Sequence, residues 1–145
     1  MKDSENSVCV VLFNNRHEAL VLLRNPHTSQ WMPGKWSCPG GHLIEGESER
    51  YGVVRELFEE TNIFVPEDSL VFVERRGKVA FYTTNEYHGR VILDECENTG
   101  YAWLSEEKLD SVDGIPNLKR TVREAATAQL CVRLNKRRHK HRTDS

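Results

Sequence analysis

The chain has no paired cysteines, no long apolar run and no large excess of charge of either sign. Its four cysteines, Cys9, Cys38, Cys96 and Cys131, lie far apart and in no C-x-x-C pair. That removes the usual zinc-site and thioredoxin-like spacings and leaves reduced thiols as the expectation. No apolar stretch approaches the roughly 20 residues that a membrane-spanning helix needs, so no membrane partner is expected. The first six residues are polar and mixed in charge. They lack the apolar core and cleavage site of a secretory signal, and a cytoplasmic location is the expectation.

What remains is the composition of an ordinary globular protein: 145 residues, 38% hydrophobic and 29% charged. A chain of this length has room for one core and one domain. The net charge of −2 is unevenly spread. Residues 1–132 hold 14 basic and 21 acidic side chains, a balance of −7, whereas residues 133–145 hold six basic and one acidic. The expectation is a single domain over residues 1–135 followed by a basic, disordered tail over residues 136–145. A nucleic-acid partner for the tail is the less favoured reading, because no aromatic side chain interleaves its charges.

Two β-rich apolar runs, residues 7–13 and 19–24, flank a polar turn and read as a hairpin. Residues 25–35 carry Pro26, Pro33 and Gly34 and read as a surface loop. A helix is expected over residues 48–61, with Ser48 as its N-cap and Asn62 as a left-handed stop. Further β-like runs follow at residues 70–74, 78–84 and 90–94, then at 101–104. A short helical stretch at 105–109 precedes a longer helix from about 117 towards 135, begun by Pro116. This order predicts an α+β fold with helices on both sides of a mixed sheet.

The chemistry concentrates in residues 41–63, a glycine-bearing loop that runs into a helix loaded with carboxylates. At 3.6 residues per turn Glu56, Glu59 and Glu60 share one face, and Glu49 falls nearly on it. Tyr51, Val54, Leu57 and Phe58 form the opposite stripe, expected to pack on the sheet while the carboxylates look outward. Like charges at these spacings repel, and a solvated acidic face is the ordinary meaning of such a pattern. Arg55 can neutralise one of them. The rest form an oxygen-rich set suited to Mg²⁺ or Mn²⁺ rather than zinc, which points to a phosphate ester or anhydride as substrate.

The register of these residues resembles the Nudix box, Gly-x5-Glu-x7-Arg-Glu-U-x-Glu-Glu-x-Gly-U, where U is aliphatic. Gly41, Glu47, Arg55, Glu56, Leu57, Glu59, Glu60 and Ile63 match, and Asn62 alone departs, so eight of nine defined positions are met. Asparagine is the residue after glycine that best tolerates a left-handed backbone, so the departure should cost little. Gly52 inside the helix implies close approach to the sheet.

The resemblance implies a Nudix-type mixed β-sheet sandwiched between α-helices. It also implies a metal-dependent pyrophosphohydrolase acting by water attack on phosphorus in a nucleoside diphosphate linked to another moiety. The short chain favours nucleoside triphosphates or nucleoside diphosphate derivatives. Carried over by position, Glu56, Glu59 and Glu60 would ligate the metal with the carbonyl of Gly40, and Arg55 would orient the carboxylates through Glu47 or Glu59. The general base would be Glu59 or a downstream acid, Glu97, with Glu95 its competitor. A base-binding surface would draw on Trp31 and Tyr82, with Phe81 and Trp103 assigned to the core, and His42 could reach a phosphate. A catalytically silent module that binds nucleotide or RNA, and an RNA 5′-end pyrophosphohydrolase, are the alternatives. Monomer and homodimer both remain open.

Overall fold

The structure, a computed structural model, describes residues 3–143. Strands β1 (Asp3–Leu12), β2 (Ala19–Arg24), β3 (Trp36–Ser37) and β4 (Gly40–Ile44) precede helix α1 (Glu49–Thr61). Strands β5 (Val71–Arg76), β6 (Val79–Thr84) and β7 (Asn98–Leu104) follow, and helix α2 (Leu118–Thr143) closes the order. One sheet has the order β4-β1-β6-β5 and the other β3-β2-β7. In the first sheet β1 pairs antiparallel with β4 and parallel with β6, so it is mixed. No helix among the described residues is long and apolar enough to cross a membrane.

Period-two alternation along β1 divides the core. Val8, Val10 and Leu12 join Leu43, Val53, Leu57 and Ile63 on the α1 side. Val11 and Phe13 join Leu118, Val122 and Ala125 on the α2 side. The expected α+β layering, with a helix on each side of a mixed sheet, is therefore present.

The sequence-level hairpin needs correction. Asn14 does build a turn, its side-chain oxygen accepting from the N–H of Arg16 at 3.0 Å and of Glu18 at 2.9 Å. Yet only an isolated bridge, Phe13 to Ala19, joins the two runs before they diverge into separate sheets. Both edges of β1 are already taken by β4 and β6, so β2 pairs with β3 and β7 instead.

The strand expected at residues 90–94 is also absent. This segment is irregular backbone lying along the end of α1, where Ile92 N–H donates to the Thr61 carbonyl at 2.9 Å and Asp94 N–H to that of Glu60 at 3.3 Å. Those carbonyls are the ones a helix terminus leaves unsatisfied. Helix α2 runs to Thr143 rather than stopping near 135. No glycine or proline follows Asn135 to end it, Lys and Arg are good helix formers, and cations favour a helix C-terminus. All four cysteines are free, with Cys96 and Cys131 exposed.

Helix α1 starts and stops as its residues dictate. The Ser48 hydroxyl accepts from the Tyr51 N–H, and Asn62 adopts φ 63° with its own N–H on the Phe58 carbonyl. Gly52 faces strand β4 so closely that a Cβ there would lie 2.2 Å from Leu43 Cδ2 and 2.7 Å from Glu47 Oε1. Gly52→Ala, which in an open helix would stabilise by about 0.5–1 kcal/mol, should here cost about 1–3 kcal/mol by overpacking. Urea unfolding gives the sign directly.

The buried face of α1 is only in part the expected one: Leu57 is in the core and Val54 packs against it, but Tyr51 and Phe58 do not join them. Gly52, Val53, Leu57, Glu60 and Thr61 are buried, whereas Tyr51 and Phe58 are 57% and 51% exposed. The helix is rolled so that its carboxylate edge borders the core instead of standing opposite to it.

Candidate active site

The roll of α1 sets two carboxylates against the backbone of β4. Glu60 is only 5% exposed, and its Oε2 accepts from the Gly40 N–H at 3.2 Å. The Glu56 carboxylate lies over Gly41, where a Cβ would stand 2.7 Å from its carbon. Only glycine leaves room for it. Burial, with the charges of Glu59 and Glu97 adding to it, pushes the Glu56 carboxyl up to about 7. Burial and the neighbouring charges of Glu56 and Glu97 raise Glu60 well above the usual carboxylate range.

Arg55 holds the rest of the cluster. Its Nε donates to Glu47 Oε2 at 2.6 Å and its Nη2 to Glu47 Oε1 at 2.9 Å, a bidentate pair. Its Nη1 reaches Glu59 Oε2 at 3.0 Å and Glu56 Oε1 at 3.2 Å, and Nη2 also donates to the His42 carbonyl at 3.2 Å. The hydrogen bonds from Arg55 hold Glu47 below the usual carboxylate range and raise Arg55 in turn. One guanidinium thus ties the loop, strand β4 and helix α1 together, and both alternatives for its partner, Glu47 and Glu59, are realised.

The donor set fits a hard divalent cation. Two carboxylates with little solvent contact face strand backbone, and both would lose their mutual repulsion beside a cation. Among the described residues no three His, Cys, Asp or Glu side chains converge as a ready-made metal cage. That is compatible with Mg²⁺, which keeps waters and binds through few carboxylates together with substrate phosphates. Glu56 and Glu60 would supply those carboxylates, with the Gly40 carbonyl and Glu59 alongside.

Of the two downstream acids, Glu97 is the one whose charge raises both Glu56 and Glu60. Glu95 is not among the charges that chiefly raise them, and its carbonyl accepts from Asn25 Nδ2 at 3.1 Å. Trp31 is 54% exposed on its loop, with the Arg24 guanidinium 5.2 Å from its ring centroid. Trp103 packs against the core and stacks on Tyr87 with ring centroids 5.6 Å apart, as its core assignment required.

Two substrate-binding expectations are overturned. Tyr82 is buried in the core on the α1 side. Its hydroxyl donates to Glu49 Oε1 at 2.8 Å, and Phe72 meets its ring edge-on. Glu49, expected with the acidic face, is drawn away by that bond and by Arg75 at 2.6 Å. Tyr82→Phe should therefore cost about 1 kcal/mol of stability and leave KM unchanged, a split that steady-state kinetics and thermal melts read separately. His42 alternates with Gly41 and Leu43 along β4, so its side chain faces away from α1. Its Nδ1 sits 3.2 Å from Ser7 Oγ, and only its backbone serves the cluster.

Arg24 escaped the sequence reading. Its charge lowers Glu60, and Ser29 Oγ and the Trp31 carbonyl fix its guanidinium at 3.0 and 2.6 Å from Nε. In the sequence it is one of 20 basic residues. Only its place at the end of an apolar run, before a loop, sets it apart.

A profile of the NUDIX domain matches residues 3–126. The chain belongs to the NUDIX family. A MutT-like protein of Streptomyces ambofaciens is 37% identical over 79 residues, covering 52% of this chain. The match spans about half, 51%, of that relative. A Bacillus subtilis (strain 168) protein named as a candidate 8-oxo-dGTP diphosphatase is 30% identical over 123 residues, 79% of this chain and 75% of that one. Among solved structures, one from work on MutT of Aliivibrio salmonicida and Vibrio cholerae superposes with a TM-score of 0.69. That similarity covers 84% of this chain and 97% of the other at 23% identity, and it establishes a shared NUDIX fold.

Proposed function

We propose that this NUDIX protein is a nucleotide pyrophosphohydrolase that depends on Mg²⁺ or Mn²⁺ and cleaves a phosphoanhydride bond of a nucleoside triphosphate or nucleoside diphosphate derivative. The observation that carries this reading is the pair Glu56 and Glu60, kept from water against Gly40 and Gly41, with the charge of Glu97 acting on both. Such a cluster weakens the fold unless a cation joins it, and a merely nucleotide-binding module would have no use for it.

A divalent cation held by Glu56, Glu60 and the Gly40 carbonyl, with Glu59, would offset charge on the phosphoryl oxygens and acidify the attacking water. Arg55 keeps Glu47, Glu56 and Glu59 in register, so little reorganisation is needed when substrate arrives. The water oxygen bonds to phosphorus as the P–O–P bridge opens, and the bridging oxygen leaves with the departing phosphate. The water's proton passes to Glu97, whose carboxylate is engaged by no hydrogen bond or ion pair among the described residues. Glu59 commits one oxygen to Arg55 and stands second as base. Trp31 offers the exposed ring for a nucleobase.

The name of the Bacillus subtilis relative makes 8-oxo-dGTP the first compound to assay, beside unmodified nucleoside triphosphates, nucleotide sugars and dinucleoside polyphosphates. A nucleoside monophosphate product that requires metal supports the proposal, provided it disappears in Glu60→Gln and falls further in Glu97→Gln than in Glu59→Gln. Binding of any of these compounds without turnover, at every metal tested, would overturn it.

A further inference from the structure

Away from the carboxylate cluster, a cavity of about 300 Å³ opens beside Phe13, Asn15, Asn85, Tyr87, Gln129 and Arg133. It lies where the parallel strands β1 and β6 end, between the turn at residues 14–18 and helix α2, and none of its lining residues is acidic. We propose that this cavity is a second small-molecule site, built for a nucleoside monophosphate or a planar heterocycle of the same kind bearing one anionic group. The argument is independent of the hydrolase reading.

The floor of the cavity has a fixed polarity. The Thr83 hydroxyl donates to the Val11 carbonyl at 2.7 Å, so towards Gln129 it can only accept. The Gln129 contact at 2.8 Å is then made by Nε2, which settles the direction of that buried amide. With its nitrogen committed inward, Gln129 has its Oε1 left for the cavity as an acceptor.

The wall is flat and preset. The Tyr87 ring is held by its stack on Trp103, with an interplanar angle of 25°, and Phe13 lies on the other strand end. Asn14 is spent on the turn, its Nδ2 donating to Glu18 Oε1 at 3.0 Å. Asn15, Asn85 and Arg133, in contrast, use their side chains in no hydrogen bond or ion pair among the described residues. A fixed acceptor, two amides that both donate and accept, and an aromatic wall match the edge and face of a nucleobase. Arg133 matches a phosphate, and no carboxylate in the lining repels it. The volume is at the small end of ligand pockets, roughly 300–1,000 Å³.

The test is a titration of the ¹⁵N-labelled full chain, kept metal-free with EDTA, with adenosine, guanosine, cytidine and uridine monophosphates. Inorganic phosphate and the parent nucleosides form separate arms. The side-chain amide resonances of Asn15, Asn85 and Gln129 should move saturably with at least one monophosphate. Its affinity should fall about tenfold in Asn85→Ala and in Arg133→Ala, the loss expected for one hydrogen bond to a charged partner. Both positions are exposed, so both variants should melt as the parent does. Three results would each overturn the proposal: amide resonances that no monophosphate moves, equal shifts with inorganic phosphate, or shifts that survive both substitutions unchanged.

Discussion

Glu60→Gln should reduce kcat by roughly 10²-fold or more and at the same time raise the stability of the metal-free protein. The substitution keeps the shape and leaves an oxygen to accept from the Gly40 N–H, so the fold has no reason to yield. What disappears is an ionisable carboxyl at a position 5% exposed, where burial and the charges of Glu56 and Glu97 disfavour its ionised form. Relief of that repulsion and desolvation should stabilise by about 1–3 kcal/mol at pH 8. Urea unfolding in EDTA beside kinetics in Mg²⁺ separates the two effects. A variant that loses activity and stability together would show that Glu60 is a structural group.

The pH dependence of the metal-free protein follows from the same pair. With Glu56 at about 7 and Glu60 also raised, the native state binds more protons than the unfolded chain above pH about 4.5. Stability contributed by these groups therefore falls as pH rises from about 4.5 through 7. Glu47 and Glu49 are shifted the other way, and their contribution changes only below that window. The metal-free protein should melt lower at pH 8 than at pH 5.5. Saturating Mg²⁺ should remove much of the difference, and its addition at pH 7 should release protons into an unbuffered solution.

Arg55→Ala should be the most destabilising single change at the site, at about 3–5 kcal/mol. It strands Glu47, whose side chain is 6% exposed and accepts two hydrogen bonds from Arg55, and it frees Glu56 and Glu59 to repel each other. Arg55→Lys restores charge but not the bidentate geometry, so it should recover stability only in part. Adding Glu47→Gln to Arg55→Ala should return about half the loss, since the stranded charge goes with it. If the double variant is less stable than Arg55→Ala alone, the Glu47–Arg55 pair is not the source of the loss.

Helix α1 was legible because its signals are local: a hydroxyl cap at Ser48, a left-handed stop at Asn62, a glycine at Gly52 where the strand comes close, and Arg55 within reach of Glu47 and Glu59. The face that α1 buries was legible only in part, because Leu57 packs as well in a stripe with Val53 as in one with Tyr51 and Phe58 until strand β4 is in place. Tyr82 and His42 failed for a related reason. Strand alternation shows that neighbours point to opposite faces, but which face meets α1 depends on pairing with a strand far away in sequence. The choice between Glu95 and Glu97 likewise rested on the path of residues 88–97 along the end of α1. Val91 and Leu93 pack against the core there without belonging to any sheet, while Ile92 between them is exposed.

The parallel alliance of β1 and β6 has a consequence for the order of events during synthesis. Ser7 is paired with Val79 and Leu12 with Thr84, so β1 leaves the ribosome ahead of β6 and waits for partners more than 70 residues behind it. Its antiparallel partner β4 arrives sooner, and α1 soon after. The carboxylate cluster can therefore begin to assemble while one edge of β1 is still open. Non-local pairings of this kind slow folding and expose unpaired edges in the meantime. A nascent chain halted just after α1 would be the species most in need of a chaperone, and release of β6 would be the step that closes its sheet.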